Sequence, residues 1–162
     1  MKPGNFILAL SLIGLLAPCS RAATTVNCTV SAGGIAFGIY NPLSAVASAS
    51  TGTLRVVCNG SGTGSANVTV NVSLSTGSSG SYATRKMFSG VNTLNYNIFW
   101  STAYNQIMGD GSGGSFAGTA GPFSVPAGGS NVATGTMYGR IPASQDLAPG
   151  SYSDVITVTV TY

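Results

Sequence analysis

Apolar and polar positions alternate with a period of two over much of this 162-residue chain, most plainly at its end. In "GSYSDVITVTVTY", Ile156, Val158, Val160 and Tyr162 fall on one face and Thr157, Thr159 and Thr161 on the other. That is the signature of a half-buried β-strand. "NVTVNVSLS" (67–75) alternates through Val68, Val70, Val72 and Leu74, and "LNYNIFW" (94–100) through Leu94, Tyr96, Ile98 and Trp100. "TTVNCTV", "GGIAFGIY" (33–40), "GTLRVVCN" (52–59), "PFSVP" (122–126) and "VATGTMYGRIP" (132–142) read as further short strands. Between them, "GSGTGSA", "GSSGSYATR" and "GDGSGGSFAGTAG" read as loops, because Gly, Ser and Asn favour turn conformations. About seven or eight strands with no intervening helices predict an all-β, antiparallel sandwich. Gly38, Gly139 and Gly150 are expected at bends or close approaches.

The amino-terminal segment breaks this pattern. Lys2, the apolar run "FILALSLIGLLA" and the small residues of "SRAA" form a secretory signal peptide over residues 1–22. The apolar run is too short to span a bilayer, which needs roughly 20 residues. Ser20 and Ala22 at positions −3 and −1 place the mature start at Ala23, leaving one domain over residues 23–162. "LAPC" (16–19) is a rival lipoprotein box, which proline before the cysteine fits badly.

Composition agrees with export. After the signal, Arg55, Arg85, Lys86 and Arg140 stand against Asp110, Asp146 and Asp154, a net charge of +1 with no basic patch for nucleic acid. The chain has no histidine, and 44% hydrophobic residues suffice for a core. Cys28 and Cys58 remain as an even pair, most simply one disulfide in an exported protein, with two buried free thiols as the alternative.

Chemistry is sparse. Without histidine there is no Ser-His-Asp or Cys-His site, and two cysteines alone do not hold zinc. The aspartates sit in "GDG", "SQDLAPG" and "SYSD", where turn and cap roles are expected; one carboxylate in "GDGSGG" is too few for a calcium cage. No G-K-[ST] phosphate loop occurs. These observations argue against catalysis, a metal or a cofactor. A pairing of Arg140 with Asp154 is weighed against simple solvation of both.

"FGIY" before Asn41-Pro42, then "VVCN", "RKM", "LNYNIFW", "GDG" and "YGRIPASQDLAPGSYSDVITVTVTY", in this order, resemble the spore coat protein U domain. That family includes subunits of archaic chaperone–usher pili in Gram-negative bacteria. The resemblance covers residues 28–162. It implies an immunoglobulin-like sandwich that is incomplete, lacking its last strand, with an open groove beside the carboxyl-terminal strand. A periplasmic chaperone, and later a neighbouring pilus subunit, would fill the groove by strand addition at an outer-membrane usher. Ile156, Val158, Val160 and Tyr162 would then flank the groove, each contributing roughly 1.5–3 kcal/mol on burial. The implied setting is secretion through the periplasm to a surface fibre serving adhesion and biofilm.

The chain departs from such subunits in one respect. Only "ATTVN" lies between the expected cleavage site and Cys28, about 17 Å when extended. The expectation is therefore an acceptor without a donor segment: a terminal, tip-type subunit. A free-standing coat or matrix protein is one alternative. A small carbohydrate-binding module is another, with Tyr82 and Tyr104 as the better stacking aromatics and Trp100 and Phe116 as further ones.

Overall fold

The computed structural model describes residues 23–162; the expected signal peptide, residues 1–22, lies outside the described residues. Ten strands follow one another: β1 (Thr25–Ala32), β2 (Ser48–Ser61), β3 (Ser65–Leu74), β4 (Arg85–Ser89), β5 (Asn92–Phe99), β6 (Ile107–Met108), β7 (Ser115–Phe116), β8 (Gly118–Pro126), β9 (Ser130–Ile141) and β10 (Val158–Thr161). One sheet runs β1-β2-β9-β5-β6-β7, with β4 also on β5; the other runs β10-β3-β8. Pairing is antiparallel throughout, apart from the two-residue β6–β7 contact.

The alternation read from the sequence is what builds the core. Leu54, Val56 and Cys58 of β2, Val68, Val70, Val72 and Leu74 of β3, and Leu94, Tyr96 and Ile98 of β5 are all buried, at every second position. Val125, Met137 and Ile141 complete the layer between the two sheets. Cys28 lies directly opposite Cys58 in the β1–β2 ladder, and the two form a disulfide with an S–S distance of 2.01 Å.

Three expectations are corrected. "GGIAFGIY" is not a strand: the β1–β2 ladder stops at Ala32 opposite Leu54, and residues 33–40 run on without sheet pairing. The terminal strand is shorter than its alternation, since only Val158–Thr161 pair with β3. The supposed loop of residues 109–121 contains β7 and the start of β8. There the indole of Trp100 donates to Phe116 O at 2.9 Å and lies where a Cβ on Gly118 would be. Packing against Trp100, not local propensity, orders that glycine-rich stretch.

A candidate strand-accepting groove

Residues 33–42 and 147–158 face one another as two walls over an apolar floor. Two contiguous cavities, of about 330 Å³ and 740 Å³, lie between them and share Ile35, Phe37, Met87 and Tyr152. Leu74, Met87, Leu94, Tyr96, Ile98, Met137 and Ile141 form the floor.

The first wall is set down on glycines. A Cβ on Gly139 would come within 2.6 Å of the Phe37 ring and 2.7 Å of Ile35, and one on Gly52 within 2.8 Å of Ile35. Smooth backbone at two glycines on neighbouring strands, Gly52 opposite Met137 and Gly139 opposite Ser50, thus lets Ile35 and Phe37 sink onto the sheet, and Phe37 meets Tyr96 edge-on at 6.0 Å. The backbone of this wall is held at few points: Gly33 N donates to Thr53 O at 2.8 Å, and Ser50 Oγ to Ala36 O at 2.7 Å. Gly38, with φ +71°, turns the chain before Tyr40; Ile39 is 99% exposed.

The second wall, opened by Leu147, passes through the expected turn glycine. Gly150 packs where its Cβ would meet Ser89 Oγ at 2.5 Å, and Ser153 exchanges two backbone hydrogen bonds with Phe88. From there Tyr152, Asp154, Ile156 and Val158 turn inward, half-buried, while Val155 is 79% exposed.

Of the four residues expected beside the groove, Ile156 and Val158 line it. Val160 packs on the core outside both cavities, and Tyr162 lies past the end of β10, 55% exposed. The groove is displaced up the chain from the expected site. Tyr152, Asp154 and the whole opposing wall were not assigned to it from sequence. The alternating Ile35 and Phe37 were the available signal, but it reads as an ordinary strand.

Asp154 is the one charged side chain on the groove lining. Its Oδ1 accepts from Ser78 N and Val155 N, both at 2.9 Å, and its Oδ2 from Tyr96 Oη at 2.7 Å. Burial pushes its carboxyl up, but these hydrogen bonds outweigh burial and hold it below the usual range. Burial, and then Asp154, push the Tyr96 phenol far up, so it stays a donor. Arg140 is not Asp154's partner: its guanidinium sits 4.9 Å above the Tyr104 ring. Asp110 Oδ1 accepts from Ser112 N and Oγ, the expected turn role.

Behind the floor lies a fully buried cation. Arg85 donates to Asn97 Oδ1 (2.7 Å), Ser75 O (2.8 and 3.1 Å) and Met108 O (2.7 Å), and stacks 5.2 Å from the Tyr82 ring centre. Burial lowers its pKa. Among the described residues no buried side-chain nitrogen or oxygen lacks a hydrogen-bond partner.

The two aromatics preferred for sugar stacking, Tyr82 and Tyr104, are both engaged by neighbours, whereas Phe116 is 47% exposed. Tyr82 is 8% exposed, donates to Leu74 O at 2.8 Å, and has its phenol pushed up by burial and Asp110. Tyr104, at φ +52°, abuts Phe99 edge-on at 5.3 Å and is covered by Arg140.

The family model for the spore coat protein U domain matches residues 16–159. The chain belongs to that family. Among solved structures, the fold is similar to one in the chaperone–tip adhesion subunit pre-assembly complex of the archaic chaperone–usher Csu pili of Acinetobacter baumannii. The TM-score is 0.54 at 18% identity, over 85% of this chain. This spore coat protein U domain spans 40% of that chain's length. A comparison with curated proteins finds no match.

Proposed function

We propose that this spore coat protein U domain is a structural or adhesive subunit of a chaperone–usher surface fibre, and that its groove accepts a β-strand lent by another polypeptide. The observation that carries this reading is a pair of facing walls over an apolar floor: the first has no sheet pairing, and the second is bridged at Ser153, to Phe88, and joined to β3 at Val158. Unpaired extended backbone beside an apolar surface is a template for strand addition. Main-chain bonds to the walls would hold the guest, and its alternate side chains would enter the space between Ile35, Phe37, Tyr152 and Ile156.

The partners in this reading are a periplasmic chaperone first and neighbouring subunits afterwards, delivered by an outer-membrane usher. Export follows removal of residues 1–22, so the secreted protein is expected to start at Ala23, which mass spectrometry of the mature chain checks. A tip-type position is supported by β1: residues 25–32 are already engaged with β2. A segment so engaged is not free to be donated.

The test is thermal unfolding of residues 23–162 with and without an added strand peptide of alternating valine and threonine. A rise of several degrees with peptide, saturable with its concentration, is expected from mass action. An unchanged midpoint at saturating peptide would leave a self-sufficient coat or matrix protein as the better account.

A further inference from the structure

We propose that Tyr40 and Gln145 form a clasp that fixes the spacing of the two groove walls and thereby sets how long an inserted strand is retained. The clasp rests on the strand-accepting reading above, and adds to it two positioning residues.

Its origin is a proline. Asn97 pairs with Arg140, so the antiparallel register carried two residues further brings Pro142 opposite Asn95. Proline has no N–H, so β9 cannot continue its ladder there. Gln145 supplies what is missing: its Nε2 donates to Asn95 O at 2.9 Å while its Oε1 accepts from Asn95 N at 2.9 Å. Those are the two reciprocal bonds that an antiparallel partner residue would make. The same Nε2 also donates to Pro142 O at 3.2 Å.

A side chain has thus become the last rung of the sheet, and its backbone is held in place for a second contact. Gln145 N donates to Tyr40 Oη at 2.9 Å, and Tyr40 Oη donates to Pro142 O at 2.9 Å. Tyr40 closes the first wall, and residue 147 opens the second. One hydroxyl therefore ties the first wall to Gln145, 105 residues away in sequence and two residues before the second wall begins.

The first wall depends on such a tie. Its other polar anchors are Gly33 N on Thr53 and Ser50 Oγ on Ala36 O, both before Phe37. Beyond Phe37, the Tyr40 hydroxyl holds this wall to the body of the domain; just past the wall, Ser144 N and Oγ donate to Ser44 O at the longer distances of 3.3 and 3.4 Å. A strand seated between the walls gains from both only while their separation is fixed.

The experiment uses residues 23–162 and a fluorescein-labelled peptide of five Val-Thr repeats with two lysines at each end. Its dissociation rate is read after dilution into unlabelled peptide. Tyr40→Phe keeps the ring and removes the hydroxyl; Gln145→Ala removes the amide. Each is expected to speed dissociation roughly two- to tenfold, the worth of about one hydrogen bond. Thr119→Val, which deletes a hydrogen bond to Asn71 in the β3–β8 ladder, is expected to leave the rate unchanged. Rates equal to wild type in both clasp variants, or the same acceleration in Thr119→Val, overturn the clasp while strand acceptance stands. A wild-type domain that never binds the peptide overturns both.

Discussion

Arg85 carries a guanidinium into the middle of the sandwich, where four hydrogen bonds to carbonyl and amide oxygens replace its water. Replacing it with methionine fills the volume but strands Ser75 O and Met108 O and leaves Asn97 Oδ1 with only the Ile98 N–H. At about 1–3 kcal/mol for each buried group, Arg85→Met should destabilise the domain by about 3 kcal/mol or more. Urea unfolding checks this, and a loss under about 1 kcal/mol would show that the network is dispensable. Nothing in "TRKM" marks this arginine for burial, since most arginines are exposed; which charge goes inside is decided by acceptors that only the tertiary fold assembles. Asp154 invites a pH test. Its folded pKa lies below the unfolded value of about 3.9, so its contribution is complete above about pH 4 and is lost as the pH falls through the folded pKa. Thermal midpoints of wild type and Asp154→Asn, scanned from pH 6 to pH 2, should therefore converge on acidification. A constant difference across that range would remove Asp154 as the source.

Strands were legible where alternation coincides with pairing, and misread where it does not. β3 and β5 appear in the sequence almost at their observed limits, because each has neighbours on both sides of its ladder or a deep core beneath. Residues 33–40 alternate just as well, yet alternation reports which side chains meet an apolar surface and says nothing of who holds the backbone. The same holds for residues 155–157 before β10. Val158 belongs to both kinds of structure, being laddered to Leu74 and exposed to the groove. Val158→Asp should abolish peptide binding, because a carboxylate there would be desolvated without a partner. Retained binding in a fluorescence titration would place the guest elsewhere. At the other margin the disulfide pins β1 to β2. Cys28→Ser with Cys58→Ser should lower stability by about 3–4 kcal/mol, the chain-entropy value for a loop of this span. A denaturant midpoint unchanged by the double substitution would contradict that.

For the molecule as a whole, the family and the sandwich were legible because the ordered segments from "FGIY" to the terminal strand each mark a structural element. The groove's position was not, because it depends on two stretches over a hundred residues apart facing one another without a hydrogen bond between their backbones. What unites the parts is a domain whose apolar interior is left open along one seam between its sheets. Hydrogen exchange at residues 34–39 tests this most directly, first with the domain alone and then with saturating Val-Thr peptide. Fast exchange that slows at alternate amides on peptide addition is the predicted result. Amides already protected in the free domain, or equally fast in both samples, would contradict an open seam that a lent strand completes.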